Sequence, residues 1–193
     1  SFAKMLDDHK LTFIGPKYSH IEMMGDKIQA KKIMEQYGVP TVPGSDGEIV
    51  SEKDALIISQ KIGFPVLLKA SAGGGGRGMQ LVHNENELKK ALPIIKQEAL
   101  SFFGNDSIYI EKFIDSPRHI EVQVICDNHG NYLHLHERDC SVQRRNQKVI
   151  EEALAPQIDQ EKKEGLFKIC IDAMQQMKYL GLGTLEFLYS NGE

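Results

Sequence analysis

A run of four glycines constrains this chain more than any other feature of its sequence. Residues 73–76 are all glycine, and they lie between two apolar segments, 64–70 and 79–82. Both segments are predicted to be β-strands, which makes the whole a strand–loop–strand hairpin. Four successive glycines cost much backbone entropy, which favours a functional loop over a plain surface turn. Backbone amides without side chains can close over phosphate groups, so we predict a flexible phosphate-binding lid; the alternative is a mobile surface hairpin.

Two better-known glycine motifs do not fit this loop. Gly73, Gly75 and Gly78 formally satisfy G-x-G-x-x-G, but the dinucleotide-binding motif opens a helix, whereas residues 79–82 are predicted to form a strand. The Walker P-loop is excluded because no Gly-Lys-Ser/Thr follows. Lys69 ends the first strand, where its charge could meet a phosphate while its stem packs. A solvated lysine at a strand end is the alternative.

The composition is that of an ordinary globular protein. Of the 193 residues, 41% are hydrophobic and 26% charged, and the formal net charge is −4. These values argue against a disordered, collagen-like or general nucleic-acid-binding protein. One local exception is the segment 138–148, which contains four cationic residues and one acidic residue. Its net positive charge suits the binding of a small anion.

Membrane insertion, secretion and disulfide bonding are not predicted. No apolar run approaches the roughly 20 residues of a membrane-spanning helix, and the first residues lack the layout of a signal peptide. The three cysteines, at positions 126, 140 and 170, show no C-x-x-C spacing. They favour free thiols in a reducing compartment over a disulfide framework or a zinc site. We therefore expect a cytoplasmic protein that contacts neither membrane nor nucleic acid.

Hydrophobic periodicity, caps and breakers predict a mixture of helices and strands. Helices are expected at residues 2–9, 27–37, 51–62, 84–102 and 159–179, the fourth broken or kinked by Pro93. Strands are expected at 11–14, 64–70, 79–82, 107–112, 118–126, 132–138 and 183–189. Asn191-Gly192 is a strong hairpin signal, but the chain stops at Glu193. This missing partner strand predicts that the chain is a fragment.

Several polar side chains lie on strands otherwise predicted to be buried. The strand 118–126 places three on one face, where burial costs free energy unless the face meets water or a ligand; they are His119, Glu121 and Gln123. Glu186, on the last strand, is a candidate Mg²⁺ ligand. Residues 111–114 end another strand, where a carboxylate beside backbone groups could read an adenine edge.

Together these motifs resemble biotin carboxylases, members of the ATP-grasp superfamily, over the whole chain. The shared motifs lie at residues 13–17, 24–27, 64–71 with the glycine loop, 117–121 and 137–145. The last reads Glu-Arg-Asp-Cys-Ser-Val-Gln-Arg-Arg and is the most specific, because it separates biotin carboxylases from carbamoyl-phosphate synthetases and other ATP-grasp ligases. The alternatives are another ATP-grasp ligase and a non-catalytic nucleotide-binding module.

The resemblance implies an α+β, ATP-grasp fold that is incomplete. Residues 1–40 would be the C-terminal tail of the family's N-terminal domain, residues 41–113 the lid domain, and residues 114–193 the first part of the C-terminal ATP-grasp domain. It also implies a second metal-binding glutamate, and groups that activate bicarbonate and biotin, beyond Glu193. We therefore expect the 193-residue chain alone not to turn over.

The resemblance also implies a role for each site residue. Lys27 and Lys69 would contact nucleotide phosphates, with the loop at Gly75 and Gly76 closing over them. Lys148 would help bind bicarbonate as the catalytic residue, and Glu186 would be one of two acidic metal ligands. Seven further residues would contact the nucleotide, and the contacts to adenine would be mostly through backbone groups. These residues are Glu111, Lys112, Phe113, Ile114, His119, Gln143 and Asn146. The family usually has histidine where this chain has Asn146, and often glycine where it has Ala72.

The implied reaction uses ATP, Mg²⁺ (or Mn²⁺), bicarbonate and biotin. Bicarbonate attacks the γ-phosphate to give carboxyphosphate, and the CO₂ released from it is captured by the ureido nitrogen of biotin on a carrier protein or domain. The implied partners are that biotin carboxyl carrier, the carboxyltransferase of the same complex and a second copy of the subunit. We expect a subunit of acetyl-CoA carboxylase, and so a part in fatty acid biosynthesis; a eukaryotic protein could reside in the mitochondrial matrix.

Overall fold

A computed structural model describes residues 1–72 and 77–192 of the chain. The predicted loop positions Gly75 and Gly76 therefore lie outside the described residues. The helices within the described ranges are α1 (Phe2–Asp8), α2 (Tyr18–Gly25), α3 (Lys27–Gln36), α4 (Glu52–Ile62), α5 (Glu85–Phe103) and α6 (Gln160–Met177). The strands are β1 (Val66–Ala70), β2 (Met79–Val82), β3 (Ile108–Lys112), β4 (Arg118–Cys126), β5 (Tyr132–Arg144), β6 (Gln147–Ala153) and β7 (Gly181–Tyr189). Helices with antiparallel sheets confirm the α+β class.

The chain divides into two compact units. We call the first the lid unit; it contains Asp26–Lys32 and Thr41–Asp115. The second, here the sheet unit, contains Ser1–Gly25, Ile33–Pro40 and Ser116–Glu193. The domain boundaries expected from the sequence, at residues 40 and 113, stay a prediction about the whole protein.

The lid unit is a three-stranded antiparallel sheet in the order β2-β1-β3, covered by α4 and α5. Strand β1 pairs directly with β2, so the strand–loop–strand hairpin predicted around the glycines is confirmed. Both predicted helix caps are present: Ser51 Oγ accepts from Asp54 N at 3.1 Å, and Asn84 Oδ1 accepts from Glu87 N at 3.0 Å. Such caps satisfy amides that the first helical turn leaves without partners. Pro93 lies inside α5, which continues through it.

The connector after α3 runs along the outer edge of β3. Three backbone hydrogen bonds attach it, from Lys112 N to Pro43 O at 2.7 Å, from Ser45 N to Ile110 O at 2.8 Å and from Ile49 N to Ile108 O at 2.7 Å. At Gly44 the approach is so close that a Cβ atom would lie 2.3 Å from the Ile110 carbonyl oxygen. Only glycine fits there, which explains the residue between Pro43 and Ser45.

The sheet unit is built on four antiparallel strands in the order β6-β5-β4-β7. Helix α6 packs on one face of this sheet, where its Phe167 and Cys170 meet Val122 and Val124 of β4. The prediction of β4 is confirmed to the residue, because its apolar residues alternate strictly. Strand β5 runs six residues further than expected, to Arg144.

Three local predictions were wrong. Residues 11–14 do not form a strand, and Ile14 is 97% exposed there, so their apolar character did not reflect burial. Helix α2 and strand β6 were missed. The turn between β5 and β6 places Arg145 and Asn146 at φ 54° and φ 60°. Two successive positive φ values mark a type I′ hairpin, but the usual Asn-Gly signal is absent from the sequence here.

The three cysteine thiols are free and buried. Burial raises the pKa of Cys126 to about 11, of Cys140 to about 11 and of Cys170 to about 12. Since the thiolate is the reactive form, we expect none of the three to react with iodoacetamide at neutral pH in the folded protein, and all three to react in denaturant. Peptide mapping by mass spectrometry measures this, and rapid native labelling of any one of them would contradict it.

Among the described helices, none is both long and apolar enough to span a bilayer.

Candidate functional site

Two lysines and one carboxylate form a group on the lid unit that we call the β3 cluster: Lys31, Lys69 and Glu111. Lys69, on β1, approaches Glu111 Oε2, on the neighbouring strand β3, at 2.5 Å. Lys31, on α3, lies 3.4 Å from Glu111 Oε1 and also donates to the Val42 carbonyl oxygen. The three side chains are only 13–22% exposed. Two cations around one carboxylate leave an excess positive charge, which suits an anion.

Lys27 opens helix α3 and is exposed. Its neighbour Asp26 caps the helix, with Oδ1 accepting from Gln29 N at 2.9 Å. Burial, together with the charges of Glu111 and Asp26, raises the pKa of Tyr109 on β3. Asp26 is therefore close enough to β3 to affect Tyr109, whereas the expectation that Lys27 and Lys69 contact one anion stays a prediction.

Residues 111–114 offer fewer backbone donors than the sequence suggested. Lys112 N donates to Pro43 O at 2.7 Å, and Phe113 N donates to Pro65 O at 3.2 Å. The Lys112 ammonium donates to the carbonyl oxygens of Gly63 and Phe64, at 2.9 and 3.1 Å. These bonds occupy the N–H groups of Lys112 and Phe113, and the role of residues 111–114 in binding adenine stays a prediction.

A second charged group, the β4 cluster, lies on the sheet unit and consists of Glu121, Arg138, Lys148 and Glu186. Glu121 and Glu186 are direct partners across β4 and β7. Like charges opposite one another destabilise a sheet, but here Lys148 binds both carboxylates, with 3.0 Å to Glu186 Oε1. Arg138 Nη2 donates to the other oxygen of Glu121 at 2.9 Å.

The pairing of β5 and β6 is irregular close to Lys148. The register of β5 against β6 shifts between Asp139 and Gln143. Bulges of this kind bend a strand and redirect its side chains. Burial by itself would lower the pKa of Lys148, but its hydrogen bonds to Glu121 and Glu186 outweigh it and raise the pKa. Burial by itself would raise the pKa of Glu186, and the Lys148 ammonium lowers it below its usual range.

The other predicted nucleotide residues of the sheet unit lie around this cluster to different degrees. His119, on β4, holds its backbone through a hydrogen bond from its N–H group to Ser141 Oγ at 3.0 Å, and its charge also lowers the pKa of Glu186. Gln143 faces Lys148 across β5 and β6 and donates to the Cys140 carbonyl oxygen at 2.9 Å. Asn146 lies in the exposed turn, where its φ of 60° suits asparagine better than most residues.

Sequence reasoning missed three residues of these clusters. Lys31 follows Lys27 by one helical turn, a spacing that places both on one helix face and could have drawn attention to it. Glu121 was assigned to a polar face, yet it is 1% exposed and carries two ion pairs. Arg138 was counted only as local positive charge. The basic residues that surround the buried Glu121 lie on other strands. Contacts between strands cannot be inferred from the spacing of residues along the chain.

Glu186 is the metal ligand predicted from the sequence. No group of three or more His, Cys, Asp or Glu side chains within residues 1–72 and 77–192 is arranged to hold a metal ion. Glu186 keeps a 66% exposed carboxylate. Mg²⁺ is commonly held by one or two carboxylates together with substrate phosphates and water, so Glu186 fits as one such ligand.

Comparison with known proteins places the chain in a family. The model of the carbamoyl-phosphate synthase L chain, ATP-binding domain, matches residues 26–193. The chain belongs to this family. It is 50% identical over 192 residues to the biotin carboxylase of Pseudomonas aeruginosa, covering 99% of this chain and 43% of that protein. The chain thus spans less than half the length of this relative.

Solved structures agree with the fold. The biotin carboxylase of Campylobacter jejuni, crystallised as a β,γ-ATP complex, matches with a TM-score of 0.94 and 46% identity over 100% of this chain and 43% of its own. The biotin carboxylase domain dimer of Hydrogenobacter thermophilus 2-oxoglutarate carboxylase, crystallised with MgADP, ADP and bicarbonate, matches with a TM-score of 0.94 and 45% identity over the same shares. The incomplete ATP-grasp fold expected from the sequence is confirmed.

Proposed function

We propose that this chain is the ATP-binding part of a biotin carboxylase, which uses ATP and bicarbonate to carboxylate biotin on a carrier protein. The observation that carries the proposal is the β4 cluster, in which Lys148 is held between Glu121 and Glu186 directly after the motif at 137–145. The two carboxylates hold the Lys148 ammonium in place, so it needs no repositioning when a small anion binds. The relatives bound to nucleotide and bicarbonate support this assignment.

The two units have different tasks in the proposed reaction. On the lid unit, Lys27 and Lys69 bind nucleotide phosphates, and residues 111–114 bind the adenine. On the sheet unit, Lys148 binds bicarbonate, while His119, Gln143 and Asn146 line the nucleotide pocket. Phosphoryl transfer depends on such positioning and charge neutralisation more than on covalent chemistry by the protein.

Glu186 would supply one carboxylate to a bound Mg²⁺ or Mn²⁺. The ion, when bound, neutralises phosphate charge as a Lewis acid. In the described structure Glu186 shares its Oε1 atom with Lys148. The second carboxylate oxygen of Glu186 would bind the metal ion, because a carboxylate accepts at both oxygens.

The partners follow from the same proposal. They are a biotin carboxyl carrier protein or domain, the carboxyltransferase of the complex and a second copy of the subunit, as in the Hydrogenobacter thermophilus dimer. The acceptor is selected by the carboxyltransferase, and we propose acetyl-CoA as that acceptor, in the cytoplasm. The 193-residue chain alone is proposed to lack turnover.

Phosphate release from ATP tests this function. With the whole protein containing this chain, we expect hydrolysis that requires bicarbonate and is stimulated by free biotin; with the 193-residue chain, we expect none. Hydrolysis by the whole protein without any response to biotin would contradict the biotin carboxylase proposal in favour of another ATP-grasp ligase. Turnover by the 193-residue chain would contradict only the proposal that it is inactive alone.

A further inference from the structure

We propose that Lys31 is a positioning residue for the nucleotide phosphates, acting through Glu111 on Lys69. This inference rests on the proposed function, because it concerns the same nucleotide. It assigns a role to a lysine that neither the motifs nor the family resemblance singled out. It also gives the Glu111 carboxylate a task distinct from binding adenine.

The contacts of Glu111 support a relay between the two lysines. Its Oε2 atom meets Lys69 Nζ at 2.5 Å and its Oε1 atom meets Lys31 Nζ at 3.4 Å, so the two oxygens face different cations. If Lys31 were absent, the carboxylate could rotate and offer both oxygens to Lys69. The Lys69 ammonium would then turn toward Glu111 and present less charge to a phosphate.

Lys31 is itself held in place. Its ammonium donates to the Val42 carbonyl oxygen, in the connector that runs along β3. A Cβ atom at Gly44 would lie 3.1 Å from Lys31 Nζ and 3.2 Å from Glu111 Cα, so the connector packs against both. A charge fixed in this way contributes without reorganisation when the ligand binds.

The cluster keeps positive charge for a ligand, and Lys69 is the lysine better placed to present it. One carboxylate neutralises one of two cations, and the cluster keeps one net positive charge. Lys69 is the more exposed lysine, at 22% against 16% for Lys31. An ammonium has three donors, and the bond to Glu111 uses one of those on Lys69, which leaves donors for phosphate oxygens.

Nucleotide binding by the whole protein tests the relay. Titration calorimetry with ATP and with adenosine should show that Lys31→Met weakens ATP binding by about tenfold, within the coupling range for groups in one hydrogen-bond network. Adenosine, which has no phosphates, should bind unchanged. Lys31→Arg should restore most of the ATP affinity. The matched control is Lys32→Met, at the next position of α3, which is exposed; this variant should bind both ligands as the wild type does.

A double-mutant cycle separates a relay from simple loss of charge. In a Glu111→Gln background, Lys31→Met should change ATP affinity by less than about twofold, because the group that links it to Lys69 is gone. Equal effects of Lys31→Met with and without Glu111 would overturn the relay, as would equal weakening of ATP and adenosine. Wild-type protein that binds no ATP would instead refute the proposed function, and this inference with it.

Discussion

Replacing Lys148 with methionine is expected to lower the rate of biotin-dependent ATP cleavage by about 10²–10³-fold, the usual effect of removing one preorganised donor from a transition state. Methionine keeps most of the length of the side chain and removes the ammonium group, with its charge and its three hydrogen-bond donors. The loss should affect bicarbonate more than ATP, because the proposal places Lys148 on the bicarbonate. Initial rates at varied bicarbonate and varied ATP measure the two effects separately.

The control for this experiment is Lys168→Met. Lys168 is 75% exposed on α6 and pairs with Asp172, so its loss should leave the rate unchanged. Lys148→Arg distinguishes a general need for charge from a need for the lysine geometry, since a guanidinium is a wide fork where the ammonium is a compact charge. Wild-type rates in Lys148→Met would show that bicarbonate is bound elsewhere.

Replacing Lys163 with methionine is expected to cost about 3–5 kcal/mol of unfolding free energy, because it leaves a buried carboxylate without its counter-ion. Glu137, on β5, is 2% exposed. Its Oε1 atom accepts from Lys163 Nζ at 2.7 Å and from Ala155 N at 2.9 Å. The pair thus joins α6 and the segment after β6 to the central sheet. Urea unfolding followed by circular dichroism measures the loss.

Lys168→Met is again the matched control, on the same helix. Its ion pair with Asp172, 2.5 Å long, is exposed on both sides, and such pairs contribute about 0–1 kcal/mol. The contrast isolates burial, because helix and residue type are the same. The double variant Glu137→Gln/Lys163→Met should recover part of the loss, since it removes the unpaired charge. A Lys163→Met loss no greater than that of Lys168→Met would contradict the argument.

The same pair makes stability depend on pH with a definite sign. Burial alone would raise the pKa of Glu137, but the bonds from Lys163 and Ala155 outweigh it and hold the pKa below its usual 4.5. A carboxyl group whose pKa is lowered in the folded state stabilises the protein at pH values above its usual pKa. This stabilisation is lost as the pH falls through the lowered pKa. Urea unfolding at a series of pH values should therefore show that Glu137→Gln loses less stability than the wild type as the pH falls through this range.

Much of the fold was readable from local patterns. Strict alternation in β4, the caps Ser51 and Asn84 and the hairpin around the glycines were all predicted, since each depends on neighbours close along the chain. The elements that the sequence analysis missed lack such local patterns. Strand β6 is exposed along its whole length and so lacks alternation, and its turn at Arg145-Asn146 lacks the glycine that marks most type I′ turns.

Propensity, periodicity and motifs depend on neighbouring residues, which is why the class of fold, the glycine hairpin and the family resemblance could all be predicted. Which charges meet depends instead on how the strands and helices pack. Glu111 is 80 positions from Lys31 and 42 from Lys69, and Lys148 is 38 from Glu186. Pairs this distant in the chain meet only through strand order and register. The bulge in β5 and the connector along β3 lie beside these contacts, and no spacing along the chain predicts either.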